Sequence, residues 1–190
     1  MKIISFYNNE RALIKKAASG NREAQQALYD SFAPKMLSVC RQYIKDVHYA
    51  EDVMIMGFVK VFKNLRSFRF EGSFEGWVRR IMIREAISYL RRKQFVVFDD
   101  EVFEKRQDVY VENAAELEVE HIQKMIDELP EGYKLVFVLF AVEGYKHSEI
   151  AEMLQVSEST SKSQLFKARR VLQEQINRLE VSGRRKSKQR

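Results

Sequence analysis

The sequence predicts an all-α protein made of two small helical domains on a flexible acidic linker, and three observations carry that expectation. The 190 residues include only 2 prolines and 7 glycines, few breakers for a chain of this length. Apolar residues recur at helical spacing nearly throughout. Charge is also segregated along the chain. Residues 1–94 hold 18 Lys/Arg against 9 Asp/Glu, residues 95–120 hold 2 against 9, and residues 121–190 hold 13 against 9. These blocks carry +9, −7 and +4, which make up the net charge of +6. Basic helical blocks concentrate a polyanion, usually nucleic acid, although a basic helix face can also simply be solvated.

In chain order, the periodicity predicts helices near 9–18, 22–45, 49–66, 74–93, 114–127, 131–142, 148–154 and 158–180. Gly20-Asn21 and Glu71-Gly72-Ser73 are the turn signals between the early ones. The organisation expected is a first domain at 1–94, an acidic linker at 95–113, a second domain at 114–180 and a basic disordered tail at 181–190. No stretch offers the roughly 20 apolar residues that cross a bilayer, and residues 1–10 contain too short an apolar run for a secretory signal. Cys40 stands alone, which excludes an intrachain disulfide and fits a reducing cytoplasm.

The most informative segment is 147–165. Ser148 is placed to cap a short helix, with Glu149 and Glu152 near its positive end. Ile150 and Leu154 face inward, Ala151 permits a close crossing, and Val156 plugs a turn. Ser157 is placed to cap the next helix, with Thr160 three residues on. Leu165, Ala168 and Leu172 form that helix's buried stripe. Its outer face presents Ser159, Ser163, Phe166, Lys167 and Arg170, with Lys162 at the margin. Small hydroxyls and cations on one helix face suit the DNA major groove, with base edges read from the N-terminal end. An ordinary helical hairpin with a charged surface is the bland alternative.

This segment resembles region 4 of bacterial sigma factors of the extracytoplasmic-function type, in the sigma-70 family. The matching residues are Leu129-Pro130, 135–142, Glu149-Ile150-Ala151, Leu154, Thr160, Lys162-Ser163, Leu165 and Ala168. The resemblance implies that Ser159, Thr160, Lys162, Ser163, Phe166, Lys167 and Arg170 form the surface that reads the double-stranded −35 element. Gln155 and Ser159 stand where the family usually has glycine. A glutamine held in a left-handed turn costs roughly 1 kcal/mol.

The first block agrees. Helix 49–66 carries a core stripe of Met54, Phe58, Val61, Phe62 and Leu65. The loop 66–74 alternates aromatic and basic residues, the pattern that stacks exposed bases and holds their phosphates; its aromatics could instead fold back into the core. The next helix has an apolar face of Val78, Met82, Ala86, Tyr89 and Leu90. Its other face gathers Arg80, Arg84, Arg91 and Arg92 around Trp77, Ile81 and Ser88. Segments 28–35, 50–62 and 72–92 resemble sigma regions 2.1, 2.2 and 2.3–2.4. That likeness implies docking on core RNA polymerase through Glu51, Asp52, Ile55, Met56 and Val59. It also implies contact with a partly single-stranded −10 element through Arg66, Phe68, Arg69, Phe70, Phe74, Trp77, Arg80, Arg84, Ser88 and Arg91. Ile55-Met56 replaces the usual Gln-Glu, which puts an apolar pair on a polar side and marks one place for an anti-sigma factor. Arg84 and Ser88 replace a common Asn and Asp, so −10 base preference is left open. The family's connector passes through polymerase channels, and nine acids in 95–120 suit a basic one.

No Gly-rich phosphate loop, nucleophile elbow or metalloprotease helix motif is present. His48, His121 and His147 are scattered, without metal-ligand spacing to Cys40. Neither an enzyme, a metal site, a cofactor nor a small-molecule ligand is expected. Two rivals remain. A stand-alone helix-turn-helix regulator would bind DNA tightly without polymerase. An adaptor that mimics a sigma factor would bind an anti-sigma factor and little promoter DNA.

Overall fold

The computed structural model describes the backbone of residues 2–92 and 119–187, and the side chains of 10–92 and 121–178. The chain divides into two compact units, Met1–Lys93 and Gln94–Arg190. The stretch expected to be an acidic linker lies outside the described residues.

The first unit holds four helices: α1 (Lys2–Ala18), α2 (Arg22–Tyr43), α3 (Val47–Asn64) and α4 (Phe74–Arg92), with a 3-10 turn at Leu65–Ser67 after α3. Starts and stops are local chemistry. Asn21 Oδ1 accepts the Ala24 N–H at 2.8 Å, and Asp46 Oδ1 accepts those of His48 and Tyr49 at 2.9 and 3.1 Å. Each satisfies donors that a helix start leaves open. Leu28, Phe32 and Met36 of α2, Met54, Phe58 and Val61 of α3, and Val78, Met82, Ala86 and Leu90 of α4 are all buried. They fill the space between three helices that pack on one another, while α1 packs on α2 and the 3-10 turn. Of the expected α3 stripe, Phe62 is only half-buried, and Val53 is buried instead. At the α3–α4 crossing, Gly57 admits the Met82 sulfur, which a Cβ there would overlap. Lys60 of α3 pairs with the buried carboxylate of Glu85, so the one acid in the middle of α4 is neutralised across the same crossing. α1 starts seven residues earlier than expected.

The second unit runs α5 (Val119–Glu128), α6 (Glu131–Phe137), a π-helical turn (Val138–Val142), α7 (His147–Leu154) and α8 (Glu158–Ser187). The helix expected over 131–142 therefore widens at its end, where Glu143 N–H bonds Val138 O at 3.0 Å. Leu129, Tyr133, Ala168 and Val171 form a core cluster, with Phe137 and Leu172 packed against it. Lys134 is 2% exposed and its ammonium meets Asp127 Oδ1 at 2.7 Å, which compensates the desolvated charge. α7 begins one residue before the expected Ser148 cap. Lys146 occupies the cap position, and its N–H is taken by Glu149 Oε2 at 2.8 Å. Ser148 is exposed on the helix itself, so the cap falls two residues earlier than the sequence pattern suggests. α8 extends to Ser187 and takes in 181–187, which were expected to lie beyond its end. No proline interrupts it, and a single glycine such as Gly183 costs only about 1 kcal/mol in a helix.

Candidate nucleic-acid interface

Between α7 and α8 the chain turns through Gln155, at φ 56° and ψ 44°. This is one of two non-glycine residues with positive φ among those described, the other being Phe70 at φ 60°. The left-handed turn closes with Val156 N–H on Ala151 O at 3.1 Å. Ile150 and Leu154 of α7 and Leu165 of α8 are buried in the angle between the two helices. Ser157 Oγ accepts the Thr160 N–H at 2.9 Å, the expected cap of α8. The same hydroxyl lies 2.7 Å from Ser159 Oγ and 2.8 Å from Thr160 Oγ1. A cluster of three hydroxyls thus stands at the N-terminal end of α8.

Downstream, Ser159, Lys162, Ser163, Phe166 and Arg170 are exposed, whereas Thr160 and Lys167 are half-buried. Positions 159, 163, 166, 167 and 170 lie three or four apart and so share one face. Phe166 is 68% exposed, the most open large apolar side chain on that helix. Lys162 bonds Glu158 at 2.7 Å and Arg170 approaches Glu174 at 3.7 Å. The ammonium of Lys162 also holds the Glu158 carboxyl below its ordinary range. Such exposed i,i+4 pairs are weak, so both cations remain available to a phosphate. Exposed Arg169, absent from the expected set, sits over the Phe140 ring at 5.6 Å. The cationic run at 167–170 is its only sequence signal.

In the first unit, α4 presents Arg80, Arg84 and Arg91 as exposed residues with half-buried Trp77 and Ser88 on the same stripe. The loop before it divides its aromatics. Phe68 and Phe74 are 9% and 2% exposed and pack edge-on at 5.2 Å; Phe74 also meets Phe32 at 5.4 Å. Trp77 closes the cluster, 5.5 Å from Phe68 and 5.8 Å from Phe74. Expected base-stackers Phe68 and Phe74 are thus core residues here, because the loop folds back over α4. Phe70, half-buried, remains at the surface with exposed Arg66 and Arg69.

On α3, Ile55, Met56 and Val59 are 49%, 55% and 40% exposed, beside exposed Asp52 and half-buried Glu51. Three neighbouring apolar side chains at this exposure are unusual on a helix that already buries another face. Among the described residues no cluster of His, Cys, Asp and Glu could hold a metal ion, and no helix is long and apolar enough to cross a membrane.

The Sigma-70 region 2 model matches residues 28–96, and the Sigma-70 region 4 model matches residues 120–172. Together these matches take in more than half of the chain. The chain belongs to the sigma-70 family. Its type follows from its relatives. This sigma factor is 28% identical to the ECF RNA polymerase sigma factor SigW of Bacillus subtilis, over 87% of this chain and 96% of that one. It is 26% identical to the ECF RNA polymerase sigma-E factor of Haemophilus influenzae, over 90% and 96% of the two chains. Among solved structures, the sigma factor RpoE of Bartonella quintana, determined in complex with the anti-sigma factor NepR, aligns over 80% of this chain and 96% of that one. The TM-score is 0.51 at 20% identity, which supports the shared fold.

Proposed function

We propose that this ECF sigma factor carries core RNA polymerase to promoters, reads a double-stranded −35 element with α8, and captures an unstacked −10 strand with the 66–70 loop and α4. The observation that carries the reading is the outer face of α8. A hydroxyl cluster, an exposed phenyl ring and three cations share one surface, above a turn that fixes α8 against α7. Base edges in the major groove are met by such donors and apolar groups, and phosphates by such cations. In the other unit, the α4 arginines hold the backbone of a single strand, and Phe70 supplies the stacking surface for a base.

The apolar stripe Ile55, Met56 and Val59 is the docking surface for core polymerase. Burying it on a partner explains why it is left open. A partner that covers the same stripe, of the anti-sigma kind bound to the Bartonella quintana relative, would block docking by competition. Each unit alone offers a small DNA surface, so promoter choice rests on avidity once polymerase fixes their separation. The work is binding and strand capture, in the cytoplasm, and we assign it no catalytic chemistry.

The decisive experiment adds the purified protein to core RNA polymerase and measures runoff transcription from a library of the source genome's promoters. Starts that require the protein and share −35 and −10 sequences establish the reading. Core binding without any start favours an adaptor, and tight DNA binding without core favours an ordinary regulator.

A further inference from the structure

Helix α1 lies outside every surface assigned so far, yet two of its groups reach the loop that carries Phe70. Arg66 Nε donates to Ala18 O at 3.1 Å, which ties the start of the loop to the C-terminal end of α1. Two helical turns back along α1, the Arg11 guanidinium lies over the Phe70 ring, 4.8 Å from its centroid. Phe68 approaches the same ring at 4.8 Å and 58°. Phe70 itself sits at φ 60°, a conformation that bulky L-residues rarely hold without support from their surroundings. Exposed Lys15 follows Arg11 by one turn on the same helix face. The positive groups at this place are therefore Arg11, Lys15, Arg66 and Arg69, with Glu10 and Glu71 as the nearby acids in sequence.

We infer that α1 is one wall of the single-strand site and that Arg11 is its positioning residue, holding Phe70 in the left-handed conformation that presents its ring to an unstacked base. This rests on the reading of the 66–70 loop as a single-strand binder. A cation over a half-buried phenyl ring at the surface is held more weakly than a base stacked on that ring. An arriving base therefore takes the place of the guanidinium, which moves to the phosphate beside that base. The exchange keeps Phe70 occupied throughout: Arg11 holds the site open without DNA and neutralises the backbone with it.

The test uses holoenzyme assembled from core polymerase and the full chain. The probe is a random-sequence pool of single-stranded DNA carrying 5-iododeoxyuridine in place of thymidine. Photocrosslinks are mapped by mass spectrometry, and affinity is measured across a salt series for wild type, Arg11→Ala, Arg11→Gln and Phe70→Ala. The expected result is a wild-type crosslink at Phe70 that both Arg11 variants weaken. Both should also bind single strands about three- to tenfold more weakly, with a salt slope shallower by about 0.7, the value for one phosphate on a single strand. Arg11 is exposed, so circular dichroism should show both variants folded, and Arg11→Gln keeps much of the side chain's aliphatic packing. If Phe70→Ala loses binding while both Arg11 variants keep affinity, slope and crosslink, Arg11 has no such role and the loop reading stands. If neither residue matters, or the wild-type crosslink lies elsewhere, both the inference and the loop reading fail.

Discussion

His147 Nδ1 lies 2.9 Å from Ser161 Oγ, joining the first residue of α7 to the first turn of α8. The imidazole also stacks on Phe140 at 4.6 Å between centroids and 23° between planes, while Ser161 is wholly buried. The angle between α7 and α8 is therefore held at their N-terminal ends by a hydrogen bond and at the turn by Gln155. Ser161→Ala should cost about 1 kcal/mol, the usual net worth of a buried hydrogen bond. His147→Ala should cost more, since it also removes the stacked ring. Hydrogen exchange of the α7 and α8 amides in the full chain reads this directly. Unchanged exchange in both variants would remove the pair from any structural role.

Gln155→Gly should act in the opposite direction. At φ 56° the side chain strains the backbone by roughly 1 kcal/mol, which glycine avoids. Glycine's greater freedom in the unfolded chain offsets part of that gain. The expected net is about 0.5 kcal/mol of added stability, seen as slower exchange of the same amides. Faster exchange would mean that the glutamine side chain makes contacts worth more than the strain.

The α3–α4 crossing allows a sharper test. A methyl group on residue 57 would overlap the Met82 sulfur, and Met82 is fully buried, so it has no open direction in which to swing. Gly57→Ala should destabilise the first unit by about 1–3 kcal/mol, as overpacking does, despite alanine's better helix propensity. Met82→Ala alone should cost about 2–5 kcal/mol as a buried truncation, but the double variant should lose less than the sum of the two, because it removes the clash. Trp77 is the sole tryptophan and reports on this unit through fluorescence during denaturant unfolding. A fully additive double variant would show that the clash is not the cause.

Burial pushes the Cys40 thiol from its ordinary 9.0 up to about 12. Unfolded, the thiol ionises near the ordinary value, whereas in the native protein it keeps its proton to about 12. Between those values the unfolded chain binds fewer protons, so stability must fall as pH rises, by roughly 1.4 kcal/mol per unit from this group. Below the ordinary value the group contributes no slope. Trp77-monitored unfolding from about pH 8 to 11 should therefore be steeper in pH for wild type than for Cys40→Ala. The native thiol should also resist a disulfide reagent at about pH 8 until the protein unfolds. Equal slopes, or rapid native labelling, would show that Cys40 is reached by water.

What could be read from the sequence follows the range of the interaction. The Ser157 cap acts within three residues and is legible from spacing. The cap expected at Ser148 is instead displaced to Lys146, whose N–H is taken by Glu149, because several neighbouring polar residues fit the same local pattern. The open pair Ile55-Met56 is legible because helical spacing alone sets the face on which a residue falls. Phe68, Phe70 and Phe74 are not separable in sequence, since alternation says nothing about which way a loop folds back. Phe68 and Phe74 go to the core while Phe70 stays at the surface, and only packing against α1 and α4 decides it. Arg11 and the His147–Ser161 pair are invisible for the same reason: their partners lie far along the chain, and no local pattern marks them.

The separate surfaces proposed for polymerase and DNA imply separable defects. Ile55→Glu and Met56→Glu alter side chains that are 49% and 55% exposed, so folding stability should change by no more than about 0.5 kcal/mol. Affinity for core polymerase should fall by about tenfold or more, because a carboxylate would be desolvated at the centre of the proposed docking surface without a partner. Lys167→Ala and Arg170→Ala should do the reverse. They should weaken binding of holoenzyme to −35 duplex, make its salt dependence shallower by about 0.9 for each phosphate no longer neutralised, and leave core binding intact. Pull-down on core polymerase and duplex binding by the holoenzyme separate the two. If either set of variants damaged both activities in properly folded protein, the two units could not be carrying independent tasks, and the division of labour between α3 and α8 would have to be abandoned.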